Sequence, residues 1–193
     1  FMDGLLELIE LDKNWVPDSL DHSLYIRPFL YSSSEFIAAR PSEEYTFCIL
    51  CSPVGPYYAG AVGVKIETEY TRAASGGIGF TKAAGNYGGA FYPTAQAIKE
   101  GYNQVIWTDH KEHKYIEESG TMNLMLVLGD TLVTPPLTDR ILAGITRNSV
   151  VELTKSWGWK VEERPISVDA IIAHAKDGTL KEAFGVGTAE VVS

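Results

Sequence analysis

Apolar and polar positions along this chain change period many times, and each change marks an element. Residues 2–12 repeat leucine and isoleucine at helical spacing and end before Val16-Pro17-Asp18, which predicts a helix. Residues 23–31 read as a strand with Pro28 inside it. Proline cannot donate to a ladder, so a sheet edge or a bulge is expected there. A short apolar, buried strand is expected over 46–52, and the alternation across 61–71 predicts another strand. Residues 88–100 form a helix, with Pro93 as an internal irregularity and Gly101 as its stop.

The second half is more regular. A buried strand is expected over 104–109, then two short strands over 115–128 around Ser119-Gly120, then a strand over 131–134 after the Gly129-Asp130 hairpin turn. Residues 146–157 give the clearest helix, with Val150, Leu153 and Trp157 on one face and Gly158 as its end. A strand over 160–165 follows. Ser167 caps a helix that runs through Lys176 and stops at Gly178, and strands over 180–184 and 188–193 close the chain. Interleaved strands and helices place the fold in the α/β (α+β) class with a mixed sheet.

Composition narrows the possibilities. Of 193 residues, 45% are hydrophobic and 11% aromatic, enough for one cored domain and too much for disorder. A formal net charge of −9 without a Lys/Arg cluster argues against nucleic acid as a partner, because that affinity rests on neutralised phosphates. No apolar run approaches the ~20 residues that span a bilayer, and no basic segment precedes an apolar one as in a secretory signal. The first residue is not Met, and the last residues, Ala189-Glu190-Val191-Val192-Ser193, read as a strand cut before any turn; both ends are expected to be cuts through a larger protein.

The chemistry concentrates around Lys82, in Gly76-Gly77-Ile78-Gly79-Phe80-Thr81-Lys82-Ala83-Ala84-Gly85-Asn86-Tyr87. One amine among small residues, with a phenol five positions on, suits a cofactor aldehyde. A lysine in a dry apolar pocket has a lowered pKa and becomes a nucleophile for a Schiff base. The plainer reading is a solvent-exposed loop lysine.

Four other segments each offer one further part. Glu117-Glu118 precede Ser119-Gly120-Thr121-Met122-Asn123; a carboxylate can keep a pyridine nitrogen protonated, although a surface pair flanking a turn reads equally well. Gly144-Ile145-Thr146-Arg147 opens the best helix, whose N-terminus suits an anion or is an ordinary cap. Gly185-Val186-Gly187-Thr188-Ala189 is a small-residue turn that could hold a phosphate or carboxylate, or merely join two strands. Tyr25 and Arg27 lie two apart in a strand and face the same way, a fork and a phenol suited to a carboxylate or to packing on each other.

Taken together and in order, these segments resemble the branched-chain-amino-acid aminotransferases, pyridoxal-phosphate enzymes of fold type IV. Further motifs extend the resemblance over the whole chain: Gln104-Val105-Ile106-Trp107, Thr134-Pro135-Pro136-Leu137 and Gly187-Thr188-Ala189. The resemblance implies a mixed-sheet pseudo-barrel flanked by helices, with residues 1–193 as the large cofactor-binding domain, truncated at both ends and without the family's small N-terminal domain. It implies pyridoxal 5'-phosphate as cofactor and transfer of the amino group of leucine, isoleucine or valine to 2-oxoglutarate. It also implies a cytoplasmic homodimer with small-molecule amino acid and 2-oxo acid substrates and no membrane partner.

Roles follow from the same resemblance. Lys82 is the Schiff-base lysine, Tyr87 bonds the ring's O3′, and Glu118, rather than Glu117, partners the ring nitrogen. Ile145 and Thr146 bind the phosphate, with Thr188 adding to that site. Thr188 and Ala189 lie near the substrate carboxylate, and Tyr25 and Arg27 contact substrate carboxylates, Arg27 chiefly the distal one of glutamate. A D-amino-acid transaminase or an aminodeoxychorismate lyase of the same fold, and a non-catalytic scaffold, are the alternatives.

The remaining motifs are read as structural. Cys48 and Cys51 form a C-x-x-C, but on a strand they point to opposite faces, and no second pair completes a zinc site; two small buried hydrophobes are expected. His110 and His113 sit in a charged stretch that reads as a solvated loop. Trp15, Trp107, Trp157 and Trp159 are expected as core or interface anchors.

Overall fold

A computed structural model describes residues 1–55 and 60–187, in two compact units divided at Tyr57 and Tyr58. The first unit holds helix α1 (Met2–Asp12), one turn of 3₁₀ helix (Lys13–Trp15), and strands β1 (Ser23–Ser32) and β2 (Tyr45–Val54), paired antiparallel. Pro28 is opposite Ile49 in an unbroken register, so the two-stranded edge, without a bulge, accommodates the missing donor.

The buried strand expected at 46–52 is corrected. No residue of β2 is buried, and both cysteines are free and half-exposed. A two-stranded ribbon within this unit has only α1 to pack on, and α1 itself buries no residue.

The second unit is a seven-stranded mixed sheet. Its strands are β3 (Val64–Ile66), β4 (Gln104–Thr108), β5 (Ile116–Ser119), β6 (Met122–Leu128), β7 (Thr131–Thr134), β8 (Lys160–Glu163) and β9 (Leu180–Val186). The order is β3-β4-β5-β6-β7-β8, with β9 on β6. Two parallel pairs, β3–β4 and β7–β8, are joined by helices α2 (Ala84–Lys99) and α3 (Ile145–Ser156), and α4 (Val168–Lys176) leads from β8 into β9.

Strand β6 is buried on both faces, and alternation explains how. Leu124, Leu126 and Leu128 pack with Ile116, Val133 and Ile166 beneath Val168 and Ile171 of α4. Met125 points the other way and packs with Leu132, Val186 and Val151 of α3. A third cluster joins Ala97 of α2 to Val105 and Trp107 of β4. The two ends of the sheet are thus braced by different helices, and the segments before α2, after β5 and before α3 line one cleft.

Four features differ from expectation. The strand over 61–71 shrinks to three residues because the buried Glu67 carboxylate accepts from the N–H groups of Glu69 (2.8 Å) and Tyr70 (3.0 Å), folding the chain into a turn. Helix α2 begins four residues earlier than 88, directly after Ala83. On α3 the buried residues are Arg147, Val151 and Thr154, while Leu153 and Trp157 are exposed; a buried arginine had displaced the apolar stripe by one position. Gly185 lies inside β9 rather than in a turn. The 188–193 strand falls outside the described residues.

Candidate active site

Lys82 ends an irregular segment, 72–82, and α2 starts two residues later. Asn86 in the first turn of that helix reaches back and donates to the carbonyls of Ile78 (2.8 Å) and Thr81 (2.9 Å), tying the lysine's loop to the helix. The Lys82 ammonium stands 5.7 Å from the centroid of the Tyr87 ring. Both side chains line a cleft together with Glu118, Ile145, Thr146 and Gly187. One expectation is corrected here: Lys82 is exposed, so the amine borders the cleft but is not held in a dry pocket. A residue at the end of an open loop, with one flank on the cleft, keeps its other flank in water.

Glu118 forms the floor. It is 4% exposed. Its Oε1 accepts from the backbone N–H of Leu142 (2.9 Å) and from Nδ2 of Asn123 (3.3 Å), and its Oε2 pairs with Nη2 of Arg72 (2.9 Å). Burial pushes the carboxyl up to about 7, against the opposing pull of the Arg72 guanidinium, the Leu142 N–H and the Lys82 ammonium; Glu117 adds to the rise. A carboxyl of this kind holds or releases its proton near neutrality, according to what is brought against it.

Glu117 is equally buried but turns to the opposite side of β5, where Arg140 Nε donates to it at 2.5 Å. The surface reading of the acidic pair is therefore corrected: each carboxylate is inside and each has its own arginine.

The far wall is the start of α3. Gly144 is the N-cap and supplies no side-chain cap, and no acidic residue occupies the first turn. Its leading N–H groups are left for another acceptor, and the helix dipole favours a negative charge there. The Thr146 hydroxyl donates to the carbonyl of Gly187 at 2.7 Å, which closes the end of β9 over the helix start. Gly144 is required by proximity, because a Cβ there would lie 2.2 Å from Oδ1 of Asn123. Asn123 Nδ2 also donates to the carbonyl of Leu142 at 2.8 Å, so a single amide links the acidic floor to the helix start. Gly120 takes φ +56 and packs against the Gln104 side chain, with its carbonyl accepting from the Trp107 indole at 2.9 Å.

Of the residues singled out in the sequence, Lys82, Tyr87, Glu118, Ile145 and Thr146 share this cleft. Tyr25 and Arg27 lie on β1 of the first unit, with the guanidinium 4.9 Å from the Tyr25 ring centroid. Thr188 and Ala189 are outside the described residues. The reading of 110–113 as a solvated loop is corrected in part. The Asp109 carboxylate accepts from four backbone N–H groups, which hold it near 2 despite some burial, and Nδ1 of His113 bonds Thr108 Oγ1 at 2.8 Å. Among the described residues no group of three His, Cys, Asp or Glu side chains could hold a metal ion. Of the tryptophans only Trp107 is core; the other three are exposed.

Sequence reasoning missed Arg72, Asn123, Asn86 and Arg140. The available signal was indirect: two adjacent carboxylates require cations once they are buried, and Arg72 and Arg140 flank glycine- and proline-rich loops.

Comparison with known proteins agrees with this geometry. The family model described as Amino-transferase class IV matches residues 2–193. Branched-chain-amino-acid aminotransferase 2 of Bacillus subtilis is 45% identical over 195 residues, covering 100% of this chain and 54% of that protein. The chain thus spans about half the length of the curated relatives it matches. Among solved structures, the branched-chain amino acid aminotransferase from Escherichia coli superposes with a TM-score of 0.72 at 28% identity, over 89% of this chain and 54% of that one. The branched-chain aminotransferase from Thermoproteus uzoniensis, solved with norvaline, gives 0.81 at 26% identity over 100% and 62%. This chain belongs to the class IV aminotransferases.

Proposed function

We propose that this chain is the cofactor-binding part of a pyridoxal-phosphate-dependent transaminase that moves the amino group of leucine, isoleucine or valine to 2-oxoglutarate. The observation that carries this reading is the convergence of an amine, a phenol, a buried carboxyl and an uncapped helix start on one cleft. The residues suit the cofactor: the donors and acceptors differ at each end, as the phosphate and the ring nitrogen require. The relatives named above support the choice of branched-chain substrates.

Pyridoxal phosphate, when bound, supplies a carbonyl that takes up the amino group and a ring that accepts electrons from the substrate's Cα. Lys82 is the amine that would hold that carbonyl carbon, and it would move the proton at the substrate's Cα. Tyr87 donates to the ring oxygen. Glu118 lines the cleft where its carboxylate would hold a proton at the ring nitrogen. The N–H groups of Ile145 and Thr146 would receive the phosphate, and a further contact from Thr188 is part of the proposal. Tyr25 and Arg27 offer a phenol and a fork to substrate carboxylates, and Thr188 and Ala189 serve the same end. A cytoplasmic homodimer is part of the proposal; among the described residues, no helix is long and apolar enough to cross a membrane.

The test is chemical. Incubation with pyridoxal phosphate and then borohydride should leave a pyridoxyl group on Lys82, found by peptide mass analysis, and none in Lys82→Ala. Labelling spread over other lysines, with Lys82 unmarked, would overturn the assignment. A panel of L-leucine, D-alanine and aminodeoxychorismate, assayed on the full coding sequence, should give turnover with the first alone.

A further inference from the structure

The segment that carries Lys82 has no helix or strand between Arg72 and Ala83, so something else must fix the amine. Besides the Asn86 amide, which holds the carbonyls of Ile78 and Thr81, the contacts converge on two consecutive residues, Asp139 and Arg140, in the loop between β7 and α3. Asp139 Oδ2 accepts from the N–H of Gly76 at 2.7 Å, and its carbonyl accepts from the N–H of Phe80 at 3.1 Å. Arg140 Nη1 donates to Ser75 Oγ at 2.6 Å, and its carbonyl accepts from Nη2 of Arg72. The approach is so close that a Cβ on Gly79 would lie 2.9 Å from Arg140 Cα.

The other end of Arg140 is anchored inside. Its Nε holds the buried Glu117. Because adjacent strand residues face opposite sides, Glu117 and Glu118 bind Arg140 and Arg72 on two sides of β5, and the two arginines are joined through the Arg140 carbonyl. Anything that moves Arg140 therefore moves both the lysine's segment and the partner of the cleft's acidic floor.

We propose that Asp139 and Arg140 are positioning residues for Lys82, clamping the 72–82 segment to β5 so that the amine meets a bound carbonyl at a set place. The proposal rests on the role given to Lys82 above, and its test keeps the two separable. Two readouts are needed on the full chain: amide hydrogen exchange, and the rate at which Lys82 is marked by pyridoxal phosphate and borohydride relative to other exposed lysines. Arg140 is replaced only together with its partner, as Arg140→Met/Glu117→Gln, because the single change would strand a buried carboxylate.

In that double variant and in Asp139→Ala, exchange at Gly76 and Phe80 should rise by roughly tenfold or more while the sheet's amides keep their rates. Marking of Lys82 should slow several-fold. Asp139→Asn should restore both, since its amide oxygen still accepts from Gly76. Native exchange and native marking in both Asp139→Ala and the double variant would overturn the clamp. So would faster exchange throughout the chain, which would make these contacts general stabilisers. Absence of any mark on Lys82 in the unaltered chain would instead sink its role as the carbonyl-binding amine, and the exchange readout would still decide whether the clamp exists.

Discussion

Two helices of the larger unit begin in opposite ways. At the start of α4, Ser167 Oγ accepts from the N–H of Ala170 at 3.1 Å, and the helix is satisfied by its own chain. At the start of α3, Gly144 has no side chain to offer, and the first-turn donors border the cleft. A capped start stabilises its helix and has nothing left for a ligand; a bare start gives up that stability and keeps its donors. The bare one is also wired to its surroundings: Leu142 and Asn123 link it to Glu118, and Thr146 links it to Gly187. The two helix starts thus serve different purposes according to what is withheld from them.

The sharpest way to probe this contrast is through the carboxyl tied to the bare end. Glu118 is raised from the ordinary 4.5 to about 7 by burial. Its folded form therefore holds a proton that its unfolded form has lost. The resulting stability is full below pH 4.5 and disappears as pH rises through 7; the gap is worth on the order of 3 kcal/mol. Urea titrations across pH 4.5–7 should show this decline, and Glu118→Gln should flatten it. An unaltered slope in that variant would mean that the proton resides elsewhere.

The next largest effect is expected from Gly144→Ala, whose methyl would sit 2.2 Å from Asn123 Oδ1. Overpacking of this kind costs about 2 kcal/mol, which predicts roughly thirtyfold weaker pyridoxal phosphate binding by absorbance titration. Undiminished affinity would show that the donors of α3 do not face the ligand. Ser167→Ala should cost about 1 kcal/mol of stability by thermal or urea unfolding and leave pyridoxal phosphate affinity alone. If it weakened binding as well, the division between the two helix starts would fail. The smallest effect belongs to Thr146→Val, which removes one hydroxyl bond to Gly187. About threefold weaker binding is expected, close to the low end for one neutral hydrogen bond.

The same contrast explains what could be read from the sequence. Capping is local, so Ser167 and the Gly178 stop were legible three residues at a time. Lys82 was legible as one amine among small residues, whereas Tyr87, Glu118 and Thr146 took their roles from the resemblance to a known family, because the segments that hold Glu118 and Thr146 also have a plain structural reading. Arg72 was not, because its partners are Glu118 and, 68 residues away, the Arg140 carbonyl. Residue hydrophobicity misled on α3, where Arg147 is buried between the Pro135 carbonyl and Glu163 while Trp157 is exposed. It misled at Lys82 too: the residue type and its neighbours located the cleft, but exposure depends on how the surrounding loops stand, which no local pattern encodes.

Trp107 gives this molecule an optical gauge. It is 0% exposed, its indole is held by the carbonyl of Gly120, and Gly120 borders the cleft, whereas Trp15, Trp157 and Trp159 face solvent. The emission of a shielded indole is displaced to the blue from that of hydrated ones. A chromophore seated a few atoms away quenches it first, so luminescence recorded at the blue flank reports occupancy of the cleft without any attached dye.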